Sequence, residues 1–222
     1  MVVRNKRKRR NNLIKYIIFD FDGTLVDSKE VFISVYNQLA NKYKFKLLKT
    51  EDIEPLRRLS IPERCKYLNF PLYRLPFFAL EIYKLYEASD KELIMIEGIN
   101  NLLSKLAASG YKIAIISSNA EKNIRAFLDK KQITEVSDIL CSNNIFGKDK
   151  IINKFLSAKG LKPSEAIYVG DELRDIVASK KAKVKIIWVD WGYDIIEMAN
   201  KEGPDYMANS PEDILKIVRS LA

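Results

Sequence analysis

Apolar positions along this chain follow two periods. Four short runs are apolar on both faces and rich in β-branched residues: Tyr16–Asp20 (YIIFD), Lys112–Ser117 (KIAIIS), Ala166–Gly170 (AIYVG) and Val184–Asp190 (VKIIWVD). A strand with two apolar faces needs cover on both sides, which is the situation of a central strand in a parallel sheet. Between these runs, Ile99–Ala108, Glu121–Lys130, Lys150–Lys159 and Leu173–Ala182 repeat their apolar residues with helical spacing. Strand alternating with helix predicts an α/β fold built on a doubly wound parallel sheet. Gly110 and Gly160 stand where two of those helices should stop, the place where glycine's freedom at positive φ is most used.

One stretch breaks the alternation. From Ser28 to about Lys91 the sequence is rich in Leu, Tyr, Phe and Lys with helical spacing (Val31, Val35, Leu39; Leu80, Tyr83, Leu85), is punctuated by Pro55, Pro62, Pro71 and Pro76, and has no β-branched run. This predicts a small helical domain over residues 28–91, inserted into a Rossmann-like core of residues 13–27 and 92–222. Its aromatic stripes are expected to pack the inside of a helical bundle.

Composition narrows the chemistry. The 222 residues include no histidine and two cysteines. That removes Ser-His-Asp and Cys-His hydrolases, histidine-ligated metals and imidazole proton shuttles. Cys65 and Cys141 are too few for a four-cysteine zinc site or a disulfide framework, and are expected as idle thiols in a reducing cytoplasm. Six of the nine excess positive charges belong to Arg4, Lys6, Arg7, Lys8, Arg9 and Arg10, leaving about +3 on the rest. Residues 1–12 are read as a disordered basic tail, a solubilising arm whose alternative role is contact with a polyanion such as nucleic acid. No apolar run approaches the roughly 20 residues of a membrane span.

Four carboxylates stand where the chemistry should be. Asp20 and Asp22 follow the first apolar strand, and Asp171 and Asp175 follow the third. In an open α/β sheet the strand C-termini line the ligand crevice, so both clusters should converge there. Four such charges do not stay ionised and close together without a cation. All-oxygen donors favour a hard ion, and Mg²⁺ suits carboxylates that must bridge to phosphate oxygens. Asp20 and Asp22 are two apart, so one carboxylate can act as nucleophile while the other handles protons, and Gly23 lets the chain turn and offer N–H groups to an anion.

These residues resemble the motifs of the haloacid dehalogenase superfamily, specifically its subfamily I phosphatases similar to phosphoglycolate phosphatase. The first motif stands as Asp20-Phe21-Asp22-Gly23-Thr24-Leu25-Val26-Asp27-Ser28, the second as Ile115-Ile116-Ser117 continued by Ser118-Asn119, and the fourth as Gly170-Asp171-Glu172-Leu173-Arg174-Asp175. The likeness runs from about Tyr16 to the C-terminus and includes Trp191-Gly192-Tyr193. It implies that Asp20 is the nucleophile that takes the phosphoryl group. Asp22 would protonate the leaving oxygen, activate water in the second step, and give its backbone carbonyl to Mg²⁺. Ser117, Ser118 and a lysine would hold phosphoryl oxygens, Asp20 and Asp171 would ligate the metal, and Asp175 would support it from behind. Asp22 speaks for phosphate esters, because dehalogenating and phosphonate-cleaving relatives lack that acid.

The third motif departs from the usual pattern. The segment reads Phe146-Gly147-Lys148-Asp149-Lys150 without prolines; Lys148 is expected in the loop after the strand-like DILCS segment as the phosphate-binding lysine, with Lys150 as its alternative. The inserted helices correspond to the family's cap, in which Arg57 and Arg58, with Arg64 nearby, are candidates to present a guanidinium fork to a substrate carboxylate. The expected function is Mg²⁺-dependent hydrolysis of a small phosphorylated metabolite, phosphoglycolate-like or a sugar phosphate, by a cytoplasmic monomer or homodimer. A phosphomutase, a phospho-accepting switch and an RNA-binding adaptor are the competing readings.

Overall fold

In the computed structural model, which describes residues 14–89, 92–142 and 146–221, the first apolar run forms strand β1, Tyr16–Phe19. It lies between two parallel neighbours, β4 (Lys112–Ser117) and β6 (Ala166–Gly170), with Phe19 opposite Ile115 on one side and Val169 on the other. Outward from these lie β5 (Val136–Cys141), β7 (Lys185–Val189) and β8 (Tyr206–Ala208), giving the order β5-β4-β1-β6-β7-β8. The chain therefore leaves β1 toward one edge and returns to build the other. Loops after β1, β4 and β6 emerge together at that reversal, where an open sheet leaves a crevice.

Alternation along the strands divides the core into two layers. Ile17, Phe19, Ile115 and Val169 face α5 (Ile99–Ala108), α6 (Glu121–Lys130) and α10 (Pro211–Ser220), meeting Leu103, Ile124 and Ile214. Ile18, Ile116 and Tyr168 face the opposite way, against Phe155 of α7 (Lys148–Lys159) and Ile176 of α8 (Leu173–Lys181). The sequence of α10 accounts for its start: the Ser210 hydroxyl accepts the Asp213 N–H at 3.3 Å and Pro211 opens the first turn, a pairing that satisfies one orphan donor and needs none from proline.

The pattern and the structure differ at short elements. β2 (Val26–Asp27) and β3 (Ile94–Met95) form a small antiparallel pair, and β8 adds an edge strand; two or three residues are too few to show a period. Helix α7 begins at Lys148, two residues before the expected start, so Lys148 opens the helix instead of lying in the preceding loop. A short α9, Ile196–Ala199, follows β7.

Between β2 and β3 run α1 (Lys29–Tyr43), α2 (Ile53–Arg57), α3 (Ile61–Tyr67) and α4 (Leu75–Glu87). They hold a core of their own, with Tyr36, Ala40, Leu48, Leu56 and Leu68 buried together. Phe78 joins it edge-on to Phe45 and tilted against Phe70, at 5.9 and 5.6 Å between centroids. Val31, Val35 and Leu39 are buried on α1 as their spacing predicts. On α4 Phe78 is buried and Ile82, Tyr83 and Tyr86 line the cavity beneath the helix, whereas Leu80, expected in the bundle interior, lies outside with 73% of its surface exposed. The basic tail of residues 1–12 and the boundary residue Lys91 lie outside the described residues. No helix among the described residues is long and apolar enough to cross a membrane.

Candidate active site

The crevice at the sheet reversal is furnished by three strand ends. Asp20 follows β1 directly and is buried; its backbone N–H donates to the Val169 carbonyl at 2.8 Å, prolonging the β1 pairing with β6. Its side chain is held by two donors, the Phe21 N–H on Oδ1 at 2.7 Å and Lys148 Nζ on Oδ2 at 2.6 Å. Lys148 reaches in from the first residue of α7, 1% exposed, and also meets Asp175 Oδ1 at 2.6 Å. Lys150 is exposed. Of the two lysines, Lys148 is the one that the structure brings to the carboxylates.

Burial and charge oppose one another here. Burial raises the Asp20 and Asp175 carboxyls above the usual range, Asp175 to about 6, although Lys148 pulls both back. Lys148 itself is held above the ordinary lysine value: burial acts to lower it, and the Asp175 and Asp20 carboxylates outweigh that.

Among the described residues, no lysine or arginine pairs with Asp171, at the end of β6. Its Oδ1 accepts the Thr24 hydroxyl at 2.9 Å and its Oδ2 the Tyr193 N–H at 2.7 Å. Burial, then the neighbouring Glu172, Asp175 and Asp20, pushes this carboxyl well above its ordinary value. Room for it comes from two glycines. A Cβ at Gly23, whose φ is +79°, or at Gly192 would run into the Asp171 carboxylate, so the turn after β1 and the WGY loop close on that acid only with glycine. Asp20, Asp171 and Asp175 each offer an oxygen, and these oxygens lie within 4.8 Å of one another. Three buried hard donors, one of them without a countercharge, fit a divalent cation such as Mg²⁺. Asp175, expected behind the metal, thus stands in the same cluster as the other two.

Asp22 turns away from this cluster. Its Oδ1 accepts Tyr86 Oη at 2.6 Å and its Oδ2 accepts Asn119 Nδ2 at 2.9 Å. The Asn119 amide is oriented by its own oxygen, which accepts Ala120 N–H at 2.7 Å and Asn123 Nδ2 at 3.0 Å. Only its NH₂ is left to face Asp22. The expected Asp22 contact to a metal was through its backbone carbonyl, which this side-chain arrangement leaves independent.

The remaining candidates separate. Ser117 ends β4, is buried, and its Oγ accepts the Asn119 N–H at 3.1 Å, leaving its own proton to donate. Ser118 Oγ accepts Arg174 Nη1 at 3.2 Å and lies at the cavity beyond Asp22. Arg57 donates to the Tyr193 carbonyl at 3.3 Å and to Glu54 at 2.8 Å. Arg58 is mostly exposed, 3.7 Å from Glu197, and does not line that cavity. The two arginines therefore form no shared fork. Tyr86 carried no sequence signal: it is one of three Tyr or Leu residues in YKLYE, and only folding shows which of them meets an acid. Asn119 was visible as the residue continuing the β4 motif, without its role.

Residues 17–189 match the family model of haloacid dehalogenase-like hydrolases. The phosphoglycolate phosphatase of Synechococcus elongatus is 26% identical over 206 residues, 92% of this chain and 97% of that protein. The pyrophosphatase PpaX of Bacillus cereus is 24% identical over 212 residues, 94% and 98% of the two chains. In fold, the crystal structure of a predicted phosphatase from Clostridium acetobutylicum superposes with a TM-score of 0.79 at 24% identity, covering 93% of this chain and 99% of that one.

Proposed function

The chain belongs to the haloacid dehalogenase-like hydrolases, and from that premise we propose that it is a Mg²⁺-dependent phosphatase of small phosphorylated metabolites that works through an aspartyl-phosphate on Asp20. The observation that carries this reading is the contrast between two carboxylates two residues apart. Asp20 lies buried against Lys148, while Asp22 is held outward by Tyr86 and Asn119. Different surroundings are what give two acids two roles in one site.

In the first step an Asp20 oxygen attacks phosphorus and the ester bond to the leaving oxygen breaks, with Asp22 handing that oxygen its proton. In the second, Asp22 takes a proton from water as the water attacks the phosphorus of the aspartyl-phosphate, releasing inorganic phosphate and regenerating Asp20. Lys148 and the Ser117 hydroxyl hold the phosphoryl oxygens through both steps and offset the charge that develops on them. Asp20, Asp171, Asp175 and the Asp22 carbonyl would hold Mg²⁺, which when bound neutralises phosphoryl charge. Helices α1–α4 act as a cap, excluding bulk water from the crevice and contacting the part of the substrate that leaves.

Replacing Asp20 by Asn tests the reading. Asp20→Asn is expected to abolish Mg²⁺-dependent release of p-nitrophenol from p-nitrophenyl phosphate while the circular dichroism spectrum is retained. Undiminished turnover would remove Asp20 as nucleophile and with it the mechanism.

A further inference from the structure

A cavity of about 330 Å³ opens at Asp22, Ser118 and Asn119 and runs on between the cap helices. Its far walls are Phe32, Leu39, Leu56, Leu68, Phe70 and Ile82. It is continuous with the catalytic acid that faces the leaving oxygen, and it lies at the small end of the roughly 300–1,000 Å³ typical of small-molecule sites.

Four cations touch this cavity: Lys29, Arg57, Arg64 and Arg174. Each already has an acid. Lys29 lies 3.5 Å from Asp27 and donates to the Trp191 carbonyl at 3.4 Å. Arg57 meets Glu54 at 2.8 Å. Arg64 pairs with Asp194, lies 3.8 Å from Glu172 and donates to the Leu56 carbonyl at 2.9 Å. Arg174 donates to Glu172 at 2.6 Å. A second anion on the substrate, beyond the phosphoryl group, would compete with these carboxylates for the same cations, and at Arg64 and Arg174 it would compete with Asp194 and Glu172, which are themselves buried and costly to leave unpaired. An apolar group asks for no such exchange and gains by leaving water.

We infer that the leaving moiety is an uncharged, largely apolar alcohol, aromatic or aliphatic, seated in the cap cavity while the phosphoryl group lies at Asp20 and Lys148. This rests on the phosphatase reading above and specifies its substrate class. The expected cost of a carboxylate or a second phosphate in the leaving group sets this chain's preference apart from those named for its relatives.

The test is a substrate series on the full-length wild-type protein with Mg²⁺: methyl, butyl and hexyl phosphate, phenyl and 1-naphthyl phosphate, 2-phosphoglycolate and inorganic pyrophosphate. The value of kcat/KM is expected to rise up to about fourfold per added methylene, and hexyl phosphate, an alkyl ester like 2-phosphoglycolate, should exceed both competitors that carry a second anionic group at least tenfold. Turnover of 2-phosphoglycolate or pyrophosphate faster than hexyl phosphate overturns the inference and leaves the phosphatase reading standing. No turnover of any compound overturns both. A second arm fills the cavity at its half-buried thiol: Cys65→Phe should lower the ratio of naphthyl to methyl kcat/KM at least tenfold, and an unchanged ratio places the apolar group elsewhere and overturns the inference. Should that variant fail to fold, the wild-type series decides alone.

Discussion

The Tyr86 hydroxyl donates a hydrogen bond of 2.6 Å to Asp22, joining helix α4 of the cap to the carboxylate two residues beyond Asp20. Burial, and then the Asp22 charge, push the tyrosine hydroxyl up, so it stays protonated and remains a donor. Tyr86→Phe keeps the ring and removes that donor. A hydrogen bond to a charged group is worth about 1.5–3 kcal/mol, so kcat on an alkyl phosphate should fall roughly ten- to hundredfold. p-Nitrophenyl phosphate, whose leaving group needs little help from an acid, should lose far less. Equal loss on both would make Tyr86 a packing residue with no hold on proton transfer.

Lys148 compensates two buried carboxylates at once, at 2.6 Å from each. Lys148→Met removes the cation that pairs with both Asp20 and Asp175 and leaves the Arg174 charge to offset them in part, a loss of about 3–5 kcal/mol by analogy with broken buried pairs. The pH dependence follows from the raised carboxyls. A native carboxyl above its unfolded value binds more protons when folded, so stability declines as pH rises from about 4 through the folded value, near 6 for Asp175. Without Lys148 that decline should steepen and extend upward. Urea midpoints in EDTA should therefore show a larger deficit at pH 8 than at pH 5. Adding Asp20→Asn should recover part of it, because one uncompensated charge is gone.

The central strands and the helices beside them were legible because each strand is an unbroken apolar run of four residues or more and each helix repeats its apolar residues at helical spacing. So were Asp20, Asp22, Asp171 and Asp175, whose placement after apolar runs puts them at the crevice. Elements of two or three residues, β2, β3 and β8, carry no period to read. The place of Leu80 is not legible in the same way, because Leu80 and Phe78 are equally apolar; which one packs depends on where α1 and the Phe45 and Phe70 rings stand. The same holds for charge. Sequence shows that Arg57 and Arg64 exist near each other, and only the fold shows that Glu54 and Asp194 already occupy them.

The thiols should be inert in the native protein. Burial, and then Glu121, push Cys141 up to about 12, and burial raises Cys65. At pH 8 an ordinary thiol is roughly a quarter thiolate, whereas one at 12 is thiolate in about one molecule in ten thousand. Iodoacetamide at pH 8 should modify Cys141 at least a hundredfold more slowly in the native protein than in guanidinium, followed by peptide mass spectrometry. Rapid native labelling would show that Cys141 is less enclosed than its position at the end of β5 implies.

Asp171 is the acid whose behaviour most directly reports the metal. Buried, flanked by Glu172, Asp175 and Asp20, and bonded only to neutral donors, it is costly to ionise in the metal-free protein. Asp171→Asn removes that cost and keeps both contacts: the amide oxygen can accept the Tyr193 N–H, and its NH₂ can donate to the Thr24 hydroxyl. In EDTA the variant should therefore melt at or above the wild type. Mg²⁺ should reverse the order. At a hundredfold excess over its dissociation constant a ligand adds about 2.7 kcal/mol, which for a chain of this size raises the melting temperature by roughly 5–10 °C. Wild type should show that rise and Asp171→Asn should show little, with Mg²⁺-dependent phosphatase activity lost in parallel. An identical Mg²⁺ response in both proteins would take Asp171 out of the metal site.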